Sequence, residues 1–253
     1  MRIRSFLSSC LLGAVVLSIA WIGAPPAEAQ IPDEFTNLKV LPKEISKREL
    51  VSIMRSFAGS LGVRCNHCHV GESTTSLEGF DFASDEPEPK RVARAMMKMT
   101  RQINDEALPA TERKSLTRVR CVTCHRGLEE PETLDKLLLG VVEEEGVAAA
   151  QERYRELHEE YYGSGSYDFS AGALNSVAET LAQEKNDVDG AIAVMKLNLE
   201  FNPDAAYSHL MLGQFYATEG DKQAAVSAIE RSLELEPDNQ WAKRMLERVK
   251  ASD

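Results

Sequence analysis

Four cysteines and two histidines recur in one arrangement. Cys65-Asn66-His67-Cys68-His69 and Cys121-Val122-Thr123-Cys124-His125 both read C-x-x-C-H. That spacing is the attachment signature of a c-type haem. Two thiols add to the two vinyl groups of one porphyrin, and the adjoining histidine faces the iron as its first axial ligand. Competing chemistries fit less well. A structural zinc site could use two C-x-x-C pairs, but it has no need of a histidine directly after each. A thioredoxin-like redox site uses one C-x-x-C beside a β-α-β pattern, and no such pattern is visible here. Two covalently attached haem c groups are therefore expected, held by Cys65, Cys68, Cys121 and Cys124. His69 and His125 are the expected iron ligands.

The chain has a fifth cysteine, Cys10. It sits in a segment with the three-part layout of a secretory signal. Arg2 and Arg4 are basic, Phe6 to Gly23 is almost wholly apolar, and Ala27-Glu28-Ala29 is small at both positions a signal peptidase reads. Cleavage is expected after Ala29, so that residues 1–29, Cys10 included, leave the mature protein. A retained segment would instead act as a membrane anchor, since the apolar run falls just short of a bilayer span. A periplasmic or otherwise exported location follows, membrane-associated if the segment stays. Haem attachment outside the cytoplasmic membrane agrees with it.

The sixth ligand decides what the iron can do. A methionine there confines the haem to passing electrons and raises its potential. Helices near the motifs are the place to look. Ser46 with Glu49 forms a capping box, and Leu50, Ile53, Met54, Phe57 and Leu61 make one stripe at helical spacing. Gly62 suits the end of that helix. A second helix is predicted from about Pro89 to Asn104, with proline in its first turn. Val92, Met96, Met99 and Ile103 share its apolar face, and Met97 lies off it. Periodicity thus offers Met54, and either Met96 or Met99. Core packing is the ordinary role of such methionines.

These residues resemble the cytochrome subunit of photosynthetic reaction centres. The likeness runs from Leu41 to Gly127 and is carried by Arg91-Val92-Ala93-Arg94-Ala95-Met96-Met97-Lys98-Met99-Thr100-Arg101 and by Val119 to Gly127, which ends Cys-His-Arg-Gly. The order of helix, loop and motif around Met54 and Cys65 fits as well. In that family a methionine on the helix before such a motif closes the iron. By position the resemblance implies Met54 for the first haem and Met96 for the second, with Met99 the alternative to Met96. The photosynthetic subunit has four haems in two halves, whereas this chain has motifs for two. No histidine lies between Asn104 and Val119 to serve a bis-histidine haem.

Other polar residues have plainer readings. His67 inside the first motif is expected to meet a propionate or solvent, and His158 and His209 are lone helical histidines. Arg91, Arg94, Lys98 and Arg101 share a helix face by their spacing. That face is either solvated, or set to neutralise propionates or an acidic partner.

The second half differs in composition and period. Residues 30–130 carry 16 basic and 15 acidic side chains, and residues 131–253 carry 11 and 24. An acidic chain of this kind is a poor binder of nucleic acid, whose backbone is read by lysine and arginine. An offset of 34 residues relates Gly190-Ala191-Ile192 to Ala224-Ala225-Val226 and Pro203-Asp204 to Pro237-Asp238. That period resembles the tetratricopeptide repeat. About two repeats are expected from Gly172 to Asn239, then a trailing helix from Gln240 to Lys250. The helical region Thr133 to Tyr162 is expected to supply a further layer, with Gly163 to Ser170 as a connection. The expected layout is a signal segment (1–29), a dihaem domain (30–130), a helical connecting region (131–170) and repeats with a trailing helix (171–253). The fold class is all-α, a multihaem c-type cytochrome followed by a helical solenoid. The expected chemistry is one-electron transfer between redox proteins, with the repeats docking a partner, among them a membrane-bound electron-transfer complex. The rivals are a dihaem peroxidase-type oxidoreductase and a repeat-based scaffold.

Overall fold

The computed structural model describes residues 31–73 and 75–252. The expected signal segment and Cys10 lie outside them. Among the described residues the regular structure is helical, and the one bridge of extended chain joins Val70 to Asp81.

Helix α1 spans Lys47–Leu61. The Ser46 side chain accepts from the Glu49 N–H at 3.3 Å, which satisfies one of the free donors at the helix start. The helix stops at Gly62, which is left-handed at φ 71°. Glycine is required there twice over. The conformation disfavours other residues, and a Cβ would collide with the Gly127 carbonyl oxygen. A single turn, α2 (Cys65–Cys68), follows at once.

Helix α3 covers Glu88–Gln102, with Pro89 in its first turn. It widens into a π-helical turn at Ile103–Ala107 and tightens again at Pro109–Thr111. A second single turn, α4 (Cys121–His125), closes this half. The predicted second helix thus ends as α-helix two residues early. The buried Asn104 side chain explains the change. It donates to Thr100 O at 2.9 Å and Val119 O at 2.8 Å, and accepts from Val119 N–H at 2.8 Å. Those bonds draw the chain back two residues before Cys121.

The remaining helices are α5 (Leu134–Glu145), α6 (Val147–Tyr161), α7 (Ala171–Gln183), α8 (Val188–Phe201), α9 (Ala206–Glu219), α10 (Lys222–Leu235) and α11 (Gln240–Ala251). Gly146, at φ 91°, divides the predicted helical region 133–162 into α5 and α6. The 34-residue period is visible in the caps. Asp187 accepts from Gly190 N–H at 2.8 Å, and Asp221 from Ala224 N–H at 2.9 Å. Helices α9 and α10 cross so closely that a Cβ on Gly213 would stand 2.5 Å from Ile229 Cγ1. Ala225 beside them is fully buried.

Both hydrophobic cores lie in this second half. One joins Leu134, Leu138, Tyr154 and Leu157 to Leu174, Leu181, Met195 and Met211, so α5 and α6 form a layer on the repeats. The other joins Leu210, Ala225 and Ile229 to Ala242, Met245 and Val249, so α11 covers the last repeat. Among the described residues before 131, the buried apolar side chains are Ile45, Leu50 and Leu128.

Candidate haem-binding sites

Each C-x-x-C-H run folds into one helical turn with the histidine at its end. In the first, the His69 N–H donates to Cys65 O at 3.0 Å. In the second, Thr123 Oγ1 accepts from the Arg120 N–H at 3.0 Å, and Leu128 N–H donates to His125 O at 2.8 Å. Two thiols three positions apart in one turn lie on the same side of it. Cys65 and Cys124 are exposed, and Cys68 and Cys121 are half-buried. Burial, and then the Glu129 carboxylate, raise the Cys68 thiol from its ordinary value. Among the described residues no three Cys, His, Asp or Glu side chains converge as a metal site.

The histidines are held differently. His125 Nδ1 lies 2.9 Å from Leu128 O, which fixes the ring and leaves Nε2 to another partner. An iron-ligating histidine ordinarily has its other nitrogen tied to a carbonyl in this manner. His69 is set against the Phe82 ring at 5.0 Å, edge on. Its Nδ1 is buried with no hydrogen-bond partner. Burial, then the Lys90 charge, push its pKa down to about 4. The ring is therefore neutral at pH 7, the form that binds a metal. An unpartnered buried nitrogen beside two thiols fits a covalently anchored haem.

The methionines lie on the two long helices. Met54 is half-buried on α1. On α3, Val92, Met96 and Met99 form an apolar stripe that stays exposed, Met96 at 39% and Met99 at 47%. Met97 is half-buried off that stripe. An exposed stripe of this type, in a half with so few buried apolar side chains, suits a large apolar group. Both Met96 and Met99 belong to it.

The two motifs share one packed unit. The first follows α1 in sequence, and the second is docked onto the end of α1. Gly127 N–H donates to Ser60 O at 2.9 Å, with Arg126 and Gly127 both at positive φ. His67 Nε2 lies 3.3 Å from Glu129 Oε1, so the residue inside the first motif meets the loop after the second. Ser166 Oγ donates to Arg126 O at 2.8 Å and ties that loop to the second half.

The basic face of α3 is used within the molecule. Arg91 donates to Asp85 O and Glu86 O at 2.7 Å each. Arg94 holds Asp85 Oδ1 at 2.7 Å and Asn37 O at 3.2 Å. Arg101 reaches Val40 O at 3.3 Å. These arginines fasten the segment before α1, and the loop before α3, to the helix. Asn104 and Lys90, which the sequence reading passes over, belong to the same framework. His158 sits among Tyr154, Tyr162, Phe169 and Phe201, and His209 Nε2 meets Pro203 O at 2.9 Å.

The family model of the photosynthetic reaction centre cytochrome C subunit matches residues 23–168. A tetratricopeptide repeat model matches residues 206–239. No curated protein matches. Among solved structures, the second TPR domain of the human RPAP3 protein in complex with an HSP70 peptide aligns at 17% identity and a TM-score of 0.34, covering 47% of this chain and 93% of that one. The first TPR of Spaghetti (RPAP3), bound to an HSP90 peptide, aligns at 18% identity and a TM-score of 0.32, covering 46% of this chain and 87% of that one. The family match takes in both C-x-x-C-H turns, both methionine-bearing helices and the first two helices of the second half. The chain belongs to the photosynthetic reaction centre cytochrome C subunit family, and it carries a tetratricopeptide repeat behind the cytochrome region.

Proposed function

We propose that the protein is an exported electron carrier with two covalently attached haem c groups. Cys65 and Cys68 anchor one and Cys121 and Cys124 the other. His69 with Met54, and His125 with Met96, are the axial ligands, with Met99 the alternative to Met96. A haem so ligated supplies a one-electron couple at its iron. The chain's own residues do the rest. The thioether positions hold each porphyrin, Leu128 and Phe82 orient the two imidazoles, and the Ser60–Gly127 contact keeps the two sites in one unit. The observation that carries this reading is the pair of single-turn C-x-x-C-H helices docked on one another through α1.

The repeat half serves as the docking element in this proposal. Tyr207 and Trp241 stand 34 residues apart, at corresponding places on α9 and the trailing helix α11, and are 49% and 40% exposed. Arg244 and Arg248 share the Trp241 face by helical spacing and are exposed. Aromatic and arginine side chains of this kind dominate binding surfaces. The expected partner is another redox protein, including one of a membrane-bound complex; nucleic acid is not expected. Among the described residues no helix is long and apolar enough to cross a membrane.

The test is haem content and spectrum of the exported protein. Two covalent haems per chain are expected by alkaline pyridine assay, with an oxidised spectrum showing the methionine-to-iron band at two-haem intensity. A high-spin haem that binds cyanide or peroxide would establish the peroxidase-type reading in place of the carrier.

A further inference from the structure

Lys90 is built into the surroundings of the first motif. Its ammonium donates to Phe82 O at 2.8 Å and Ser84 O at 2.5 Å, and its side chain is only 12% exposed. The Phe82 ring it anchors is the one packed edge-on to His69. The charged groups facing His69 are Lys90, Arg94 and Asp81. The carboxylate closest to Lys90 is Asp85, at 3.8 Å. That carboxylate is already engaged by Lys39, by Arg94 at 2.7 Å and by Asn37 Nδ2 at 2.8 Å. Three cations, Lys39, Lys90 and Arg94, thus stand against two carboxylates, Asp81 and Asp85. Glu129, 3.3 Å from His67, adds a third carboxylate to the surroundings of this motif, and Lys90 is the least exposed of the three cations.

We infer that Lys90 sets the potential of the haem bound by His69. The inference rests on the dihaem reading above. Oxidation of a haem iron adds one positive charge at the site. A fixed cation held beside the axial histidine opposes that charge and so favours the reduced form. The His125 ring is instead tied to the Leu128 carbonyl. The two haems therefore differ in potential through second-layer charge even if their iron ligands are the same. The effect is insensitive to salt, because a mostly buried charge is screened little.

The experiment is a spectroelectrochemical titration of the full chain with its haems attached, after haem content has been counted. Lys90→Met is expected to move one of the two reduction waves to lower potential and to leave the other in place, at both low and high salt. Lys90→Arg is expected to restore the wave. If Lys90→Met costs the protein a haem, Asp85→Asn gives the answer, since removing the compensating carboxylate should raise the same wave. Unmoved waves in a two-haem Lys90→Met protein, equal shifts of both waves, or no shift in Asp85→Asn would overturn the inference. A wild-type chain without covalent haem would overturn the underlying reading, and so is distinguishable from these outcomes.

Discussion

Asn104 makes a two-way hydrogen bond to the backbone of Val119, fifteen residues on, from a buried position. The sequence shows only an asparagine near a helix end, which is ordinary. Its role depends on a return of the chain that no local pattern announces. Replacing it with alanine leaves the half-buried N–H and C=O of Val119 without partners. That should cost about 1–3 kcal/mol, read as a lower denaturation midpoint of the region holding the second motif. The methionines pose the opposite case, since the sequence offers two and the exposed stripe on α3 holds both. The family resemblance selects Met96. Met96→Leu is expected to lower the potential of one haem while Met99→Leu leaves both unchanged, because methionine ligation raises haem potential. An equal shift in the two variants would mean that the choice between them is wrong.

Among the elements, α1 was legible in full. Its capping serine, its apolar stripe and its closing glycine are local signals, and they appear where the spacing puts them. Helix α3 was legible in position but not in purpose. Its basic face could have been solvated or turned to a partner. In the fold it clamps backbone carbonyls and Asp85 instead. Lys39, then Arg94, hold the Asp85 carboxyl well below the usual carboxylate range. A carboxylate with its folded pKa depressed stabilises the protein above its unfolded pKa, about 4, and that contribution is lost as pH falls further. Asp85→Asn should therefore flatten the loss of stability with acid below about pH 4. Acid titrations of the variant and the wild type, followed by circular dichroism, would expose the difference. In the repeats, Gly213 is fixed by the close crossing of α9 and α10. Gly213→Ala forces a methyl group against Ile229 and should cost about 1–3 kcal/mol. A variant with unchanged thermal stability would show that the crossing relaxes freely.

At the scale of the whole molecule the two halves are held together by different means. Among the described residues one apolar core runs from Leu134 to Ala228 and the other from Leu210 to Val249 on α11. Residues 31–130 rely on capped turns, arginine clamps and the Ser60–Gly127 contact. A variant with Cys65, Cys68, Cys121 and Cys124 all changed to serine should therefore keep the helical signal and cooperative unfolding of α5–α11. It should lose protection from proteolysis chiefly before Glu130. Loss of cooperativity throughout would show that the repeat half depends on the cytochrome half for its fold. The acidic excess also belongs to the second half, so salt effects on partner docking should follow changes there, at Arg244 and Arg248 above all.

The sequence by itself determined the parts: two C-x-x-C-H motifs, the helices that flank them, and the 34-residue period with its caps and small residues. These are legible because they depend on covalent spacing, helical periodicity and capping, all of which act within a few turns of chain. Only the tertiary structure decided how the parts meet. It docked the second motif on the end of α1, joined Asn104 to Val119 and His67 to Glu129, turned the arginines of α3 inward and built Lys90 into the surroundings of His69. Each of these contacts joins segments whose separation in sequence carries no periodic signal, and each is fixed by burial and by the need to satisfy backbone groups once the chain has folded back.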